Sequence, residues 1–106
     1  MPSTNHLRRM LALVCAISAS AVAADLPIIT PAARLAATCV ACHGADGVTQ
    51  GSTLPALAGQ PRATLAQSLR DFKSGTRSAT IMTQIARGYT DEQIEQLAAF
   101  FSAQKK

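Results

Sequence analysis

Apolar residues in the second half of the chain recur at helical rather than strand spacing. Leu65, Leu69 and Phe72 stand at i, i+4 and i+7. Ile94, Leu97, Ala98 and Phe101 stand at i, i+3, i+4 and i+7. Each set lines one face of an α-helix. The boundaries carry matching signals. Thr90-Asp91-Glu92-Gln93 opens the last helix as a capping box, with two acids at the positive end of the helix dipole. Lys105 and Lys106 are expected to complement its negative end. The helix before begins near Pro61 and stops at Ser74-Gly75, a glycine C-cap. Between these two, residues 81–87 predict a short helical turn ended by Gly88. Upstream, Thr30-Pro31 predicts an N-cap with proline at the first helical position. The Ala-rich run AARLAATC then predicts a first helix running into the cysteines. No strand-like alternation and no internal repeat is present, so the expected class is all-α, about four short helices.

Residues 44–60, GADGVTQGSTLPALAGQ, break this pattern with four Gly, one Pro and no periodicity. A structureless loop of that length is unusual inside a small domain. It makes sense if it wraps around something other than protein.

The N-terminus follows a different rule. His6, Arg8 and Arg9 give a basic start, and the apolar stretch MLALVCAISASAVA follows, ending in Ala21-Val22-Ala23. Charge, apolar stretch and small residues in A-x-A form read as a secretory signal peptide. The stretch is shorter than the roughly 20 apolar residues that span a bilayer. Cleavage after Ala23, or after Ala24, is expected, leaving residues 24–106 as a single periplasmic domain without a stable membrane anchor. Cys15 would leave with the leader, because Val14 is bulky where lipoprotein processing requires a small residue.

Composition sharpens the picture. The 83 residues after the leader form one small domain, and chains this short often need a disulfide, metal or cofactor. The sequence has no Trp, one Tyr and three Phe, so its own aromatic filling is poor. Without Arg8 and Arg9, eight Lys and Arg face six Asp and Glu, a net charge of +2. No basic run interleaves with aromatics, which argues against nucleic acid as a partner.

The chemistry is concentrated at Cys39-Val40-Ala41-Cys42-His43, a C-x-x-C-H pattern of covalent haem attachment. Two thiols three positions apart can reach two vinyl groups on one porphyrin edge, and the next residue presents an imidazole to the iron. Export agrees, since such attachment takes place outside the cytoplasm. Three other uses of the motif compete. A redox dithiol belongs beside a parallel sheet, and no strands are predicted. A zinc site needs about four ligands, more than two Cys and one His supply. A plain disulfide is possible in an exported chain. The motif, the His and the helical pattern together favour one covalent haem c.

The other face of the iron decides the job. Residues 24–106 contain no second His and one Met, Met82, 39 positions after His43. A lone Met at helical spacing is usually core filler. Here Thr80, Thr83 and Gln84 surround it, so Met82 is the expected second axial ligand. His/Met ligation raises the reduction potential, and an iron filled on both sides carries electrons rather than activating oxygen. Pro55, rigid and beyond the loop, is a candidate to accept the other N–H of His43 through its carbonyl; a simple turn proline is the alternative. Tyr89 is either a propionate partner or an exposed or core-edge residue.

In this order, CVACHGADG, LPALAGQ, a lone Met and the TDEQIEQLAAFFSAQ helix resemble class I bacterial cytochromes over about residues 33–104. FKSG and ATIMTQIARGYT are most similar to the cytochrome subunit of flavocytochrome c sulfide dehydrogenase. That resemblance implies a class I cytochrome c fold, thioether bonds at Cys39 and Cys42, axial ligands at His43 and Met82, and the His-accepting carbonyl at Pro55. It also implies docking on an FAD-containing subunit that takes electrons from sulfide and passes them to the haem. Many members carry two haem domains, whereas one C-x-x-C-H implies a mono-haem form. The chain has no G-x-G-x-x-G fingerprint and no room for a flavin domain. It is therefore expected to be a one-electron relay and not an enzyme on its own. The alternative is a freely diffusing carrier to a terminal oxidase, another dehydrogenase or other redox proteins.

Overall fold

The helical periods of the sequence appear as four α-helices and one 3-10 turn in the computed structural model, which describes residues 28–51 and 53–106. The expected leader at 1–23 lies outside the described residues. Helix α1 spans Pro31–His43, the 3-10 turn Ala45–Gly47, α2 Arg62–Ser74, α3 Met82–Arg87 and α4 Asp91–Ser102. Among the described residues there is no strand.

The ends form for the reasons the sequence gives. Thr30 caps α1, its side-chain oxygen accepting from the Ala33 N–H at 3.1 Å. Thr90 and Gln93 form a reciprocal box at α4: Gln93 N donates to Thr90 Oγ1 at 3.2 Å, and Thr90 N to Gln93 Oε1 at 2.9 Å. Gly75 ends α2 in the left-handed conformation. Two points differ. Helix α1 continues through the cysteines to His43. Helix α4 stops at Ser102, so its last turn has no basic residue and Lys105 and Lys106 lie beyond it. The stem of Lys106 packs instead over Gly59.

Helix α4 is the centre of the packing, against α1 on one side and α2 on another, while α3 rests on α2. Its stripe of Ile94, Leu97, Ala98 and Phe101 meets Ala36 of α1 and Leu65 and Ala66 of α2. Ile94 and Leu97 are the largest wholly buried side chains. Burying each contributes about 1.5–3 kcal/mol, a small sum for a domain. Phe100 stands edge-on to Phe101, with ring centroids 5.1 Å apart. On the surface, Glu95 of α4 is shared by Arg62, at 2.8 Å, and Arg70, both from α2. Lys73 pairs with Asp91 at 2.9 Å.

The Gly-rich stretch is anchored rather than loose. Gly47 has φ +79°, and a Cβ there would lie 2.8 Å from Phe101 Cδ1 and 3.0 Å from Leu57 Cβ. Its carbonyl accepts from Leu57 N at 2.8 Å and Ala58 N at 3.2 Å, and Gly59 N donates to Phe101 O at 2.9 Å. The loop is thus tied to the end of α4, which fixes where Pro55 sits.

Candidate functional site

The last turn of α1 carries Cys39, Cys42 and His43. Residues three apart share a helix face, so both sulfurs leave on one side. Both are free thiols, Cys39 half-buried and Cys42 exposed. Burial pushes the Cys39 thiol above its ordinary value, and the Cys42 charge adds a little; the nearby hydroxyls of Thr38 and Tyr89 oppose the rise. Among the described residues no three His, Cys, Asp or Glu side chains cluster as a metal site.

His43 is the one buried polar side chain among the described residues, 7% exposed. Its Nδ1 lies 2.8 Å from Pro55 O. A carbonyl can only accept, so Nδ1 carries the proton and donates, leaving Nε2 with its lone pair. That is the state in which an imidazole binds a metal. Gly44 turns the chain sharply after His43: at φ +82°, a Cβ would lie 2.0 Å from Val48 O. The reversal brings the loop back over the imidazole.

Met82 is the first residue of α3 and is half-buried. The turn before it is held by Thr83 Oγ1, which donates to Ala79 O at 2.8 Å. Large apolar side chains are exposed beside both candidate ligand segments. Ile81 and Ile85 flank Met82 at 61% and 37% exposure, and Leu54, next to Pro55, is at 42%. Clustered apolar exposure of this kind marks a surface that something covers. Two thiols, an imidazole with its Nδ1 committed to a carbonyl, a thioether and apolar flanks match the donor set of a haem. A separate cavity of about 360 Å³ lies between Val40, Cys42, Ala45, Val48 and Gln50. Motif residues Val40, Ala41 and Cys42 line it, but neither His43 nor Met82 does.

Tyr89 packs at the edge of the core. Its hydroxyl is 2.7 Å from Thr38 Oγ1. Thr38 already donates to Leu35 O at 2.9 Å, so Tyr89 is the donor of the pair. This link, 51 positions apart in sequence, has no periodic or motif signal that could have announced it. Arg77 lies over the Phe72 ring, 4.7 Å from its centroid, and closes the loop after α2.

The chain is similar to known proteins along most of its described length. The cytochrome c family pattern matches residues 29–105. Cytochrome c-554(548) of Halomonas halodenitrificans is 41% identical over 71 residues, covering 64% of this chain and 86% of that protein. The cytochrome subunit of sulfide dehydrogenase from Chlorobaculum tepidum is 39% identical over 67 residues, 63% of this chain and 60% of that one. Cytochrome c4 of Pseudomonas aeruginosa is 40% identical over 70 residues, 66% of this chain but 35% of its own length. The solved cytochrome c4 of Acidithiobacillus ferrooxidans superposes with a TM-score of 0.58 at 43% identity, over 61% of this chain and 37% of that one. The chain thus spans most of one relative and a third to three-fifths of the others. Four helices, the C-x-x-C-H turn and the match along residues 29–105 lead to one conclusion: the chain belongs to the cytochrome c family, an electron-transfer protein of class I fold whose cofactor is haem c.

Proposed function

We propose that residues 24–106 form a single periplasmic domain, exported by the leader at 1–23, that relays one electron at a time through a single haem. In this reading Cys39 and Cys42 hold the haem by thioether bonds, and His43 and Met82 hold the iron. Pro55 fixes the His43 ring through its carbonyl. When bound, the haem supplies the one-electron couple; the chain supplies ligands, orientation and exclusion of water. The observation that carries the proposal is the state of His43: buried, its Nδ1 proton given to Pro55 O at 2.8 Å, at the end of the helix bearing both thiols. Donation to a backbone carbonyl sets the tautomer and raises the basicity of Nε2. A thioether opposite favours ferrous iron and leaves no open position for oxygen.

The proposed donor is the FAD subunit of a sulfide dehydrogenase, with onward transfer to a respiratory or photosynthetic chain. Support comes from the similarity to the Chlorobaculum tepidum subunit and from the FKSG and ATIMTQIARGYT segments. The docking face would surround CVACH, Met82 and residues 75–80. A second reading, a freely diffusing carrier, is supported by the match over 86% of a relative whose name specifies no enzyme. Purification from the native host separates them. A permanent subunit should bring down a larger FAD-binding chain in fixed ratio and survive moderate salt, since permanent interfaces are extensive and apolar. Sulfide should then reduce the haem of the complex quickly and that of the isolated chain slowly. A monomer that never co-purifies with a flavoprotein, yet exchanges electrons with an oxidase, would favour the diffusing carrier.

A further inference from the structure

Met82 and the cysteine pair are on different helices, α3 and α1, which share little direct packing: α3 rests on α2 and α1 on α4. A hydrogen bond crosses between their segments. Tyr89, two residues beyond α3, places its hydroxyl 2.7 Å from Thr38 Oγ1 of α1. The Tyr89 hydroxyl also faces Cys39, so it is where residues 82–89 meet α1. Gly88 N to Ile85 O at 3.1 Å and Tyr89 N to Ala86 O at 3.2 Å close the intervening turn, so Met82 and Tyr89 share one hydrogen-bonded segment. The Tyr89 ring is half-buried against the core, and the Thr38 hydroxyl is fixed on Leu35 O. Thr38 is also the residue immediately before Cys39.

We infer that the Tyr89–Thr38 hydrogen bond is a latch that holds the Met82-bearing helix to the cysteine-bearing helix, making Tyr89 and Thr38 positioning residues for the Met82 side of the iron. The inference rests on the ligand assignment proposed for Cys39, Cys42, His43 and Met82. Its physical content is a local concentration. An external ligand competes with a thioether delivered by the chain itself, and a tether that restricts where the thioether goes raises its advantage. Breaking one hydrogen bond of this kind shifts such a competition by roughly two- to tenfold.

The test is imidazole titration of the oxidised holoprotein, read by its absorption spectrum. Tyr89→Phe keeps the ring and removes the donor; Thr38→Val keeps the shape and removes the acceptor. Each should tighten imidazole binding by roughly two- to tenfold, and the double variant should bind no tighter than the singles, because both remove the same bond. Thr38→Ser restores a hydroxyl and should bind as wild type does, which a loss of packing alone would not give. Should Thr38→Val fail to mature, Tyr89→Phe and Thr38→Ser still decide the matter. Wild-type affinity in Tyr89→Phe, or additive effects in the double variant, would overturn the latch. Met82→Ala separates this from the ligand assignment. If it binds imidazole far more tightly than wild type while Tyr89→Phe does not, only the latch falls. If it binds no more tightly, Met82 is not the ligand and both fall.

Discussion

His43 and Met82 are both ordinary residues in composition, and their environments make them different. His43 is buried at the end of α1 with its Nδ1 committed to Pro55 O. Met82 opens a helix of six residues, half-buried between two exposed isoleucines, which is poor placement for core filler. Met82→Ala should therefore leave the haem attached and lower the reduction potential by a sizeable part of the ~0.8 V that axial ligands span. It should also admit carbon monoxide, seen in the ferrous absorption spectrum. A variant that keeps the wild-type potential and excludes carbon monoxide would require another ligand. Gly47 is a residue-scale constraint of another kind. In Gly47→Ala the left-handed backbone and the approach to Phe101 Cδ1 at 2.8 Å should together cost about 2 kcal/mol or more, measured by urea denaturation.

At the scale of elements, α2 and α4 are joined by apolar packing inside and by charges outside. The Arg70 and Arg62 guanidiniums hold the Glu95 carboxyl below its ordinary value, and Lys73 does the same for Asp91. A carboxylate depressed in the folded state stabilises above its unfolded value, and that contribution is lost as pH falls through the folded one. Stability should thus hold at neutral pH and decline below about pH 4, the ordinary carboxylate value. Both carboxylates are exposed, so added salt should weaken the effect. Glu95→Gln should flatten that acid limb in urea midpoints taken across pH, with a small loss at neutral pH. An unchanged acid limb would show that the shared contact with Arg62 and Arg70 does not act in solution. The capping box at Thr90 and the stripe from Ile94 to Phe101 were legible because local chemistry alone specifies them. The fork at Glu95 and the Tyr89–Thr38 bond were not, because they join residues 25 to 51 positions apart through tertiary packing.

For the whole molecule, the same division explains what the sequence could say. C-x-x-C-H is a local motif whose spacing is set by the edge of a porphyrin, so Cys39, Cys42 and His43 stand out as candidates without a structure. Pro55 was readable only as a candidate, since its carbonyl reaches His43 through a loop anchored at Gly47 and Phe101. The negative end of α4 was misread, because its last turn closes at Ser102, before the lysines. The largest wholly buried side chains of the core are Ile94 and Leu97, a small protein interior of the kind that a cofactor often completes. The measurement that tests this account most directly is whether the haem is bonded to the chain. After acid–acetone extraction of protein matured in an exporting host, the alkaline pyridine spectrum of the polypeptide should show haem still attached, with both vinyl groups saturated. Haem recovered in the organic phase would contradict the roles given to Cys39 and Cys42.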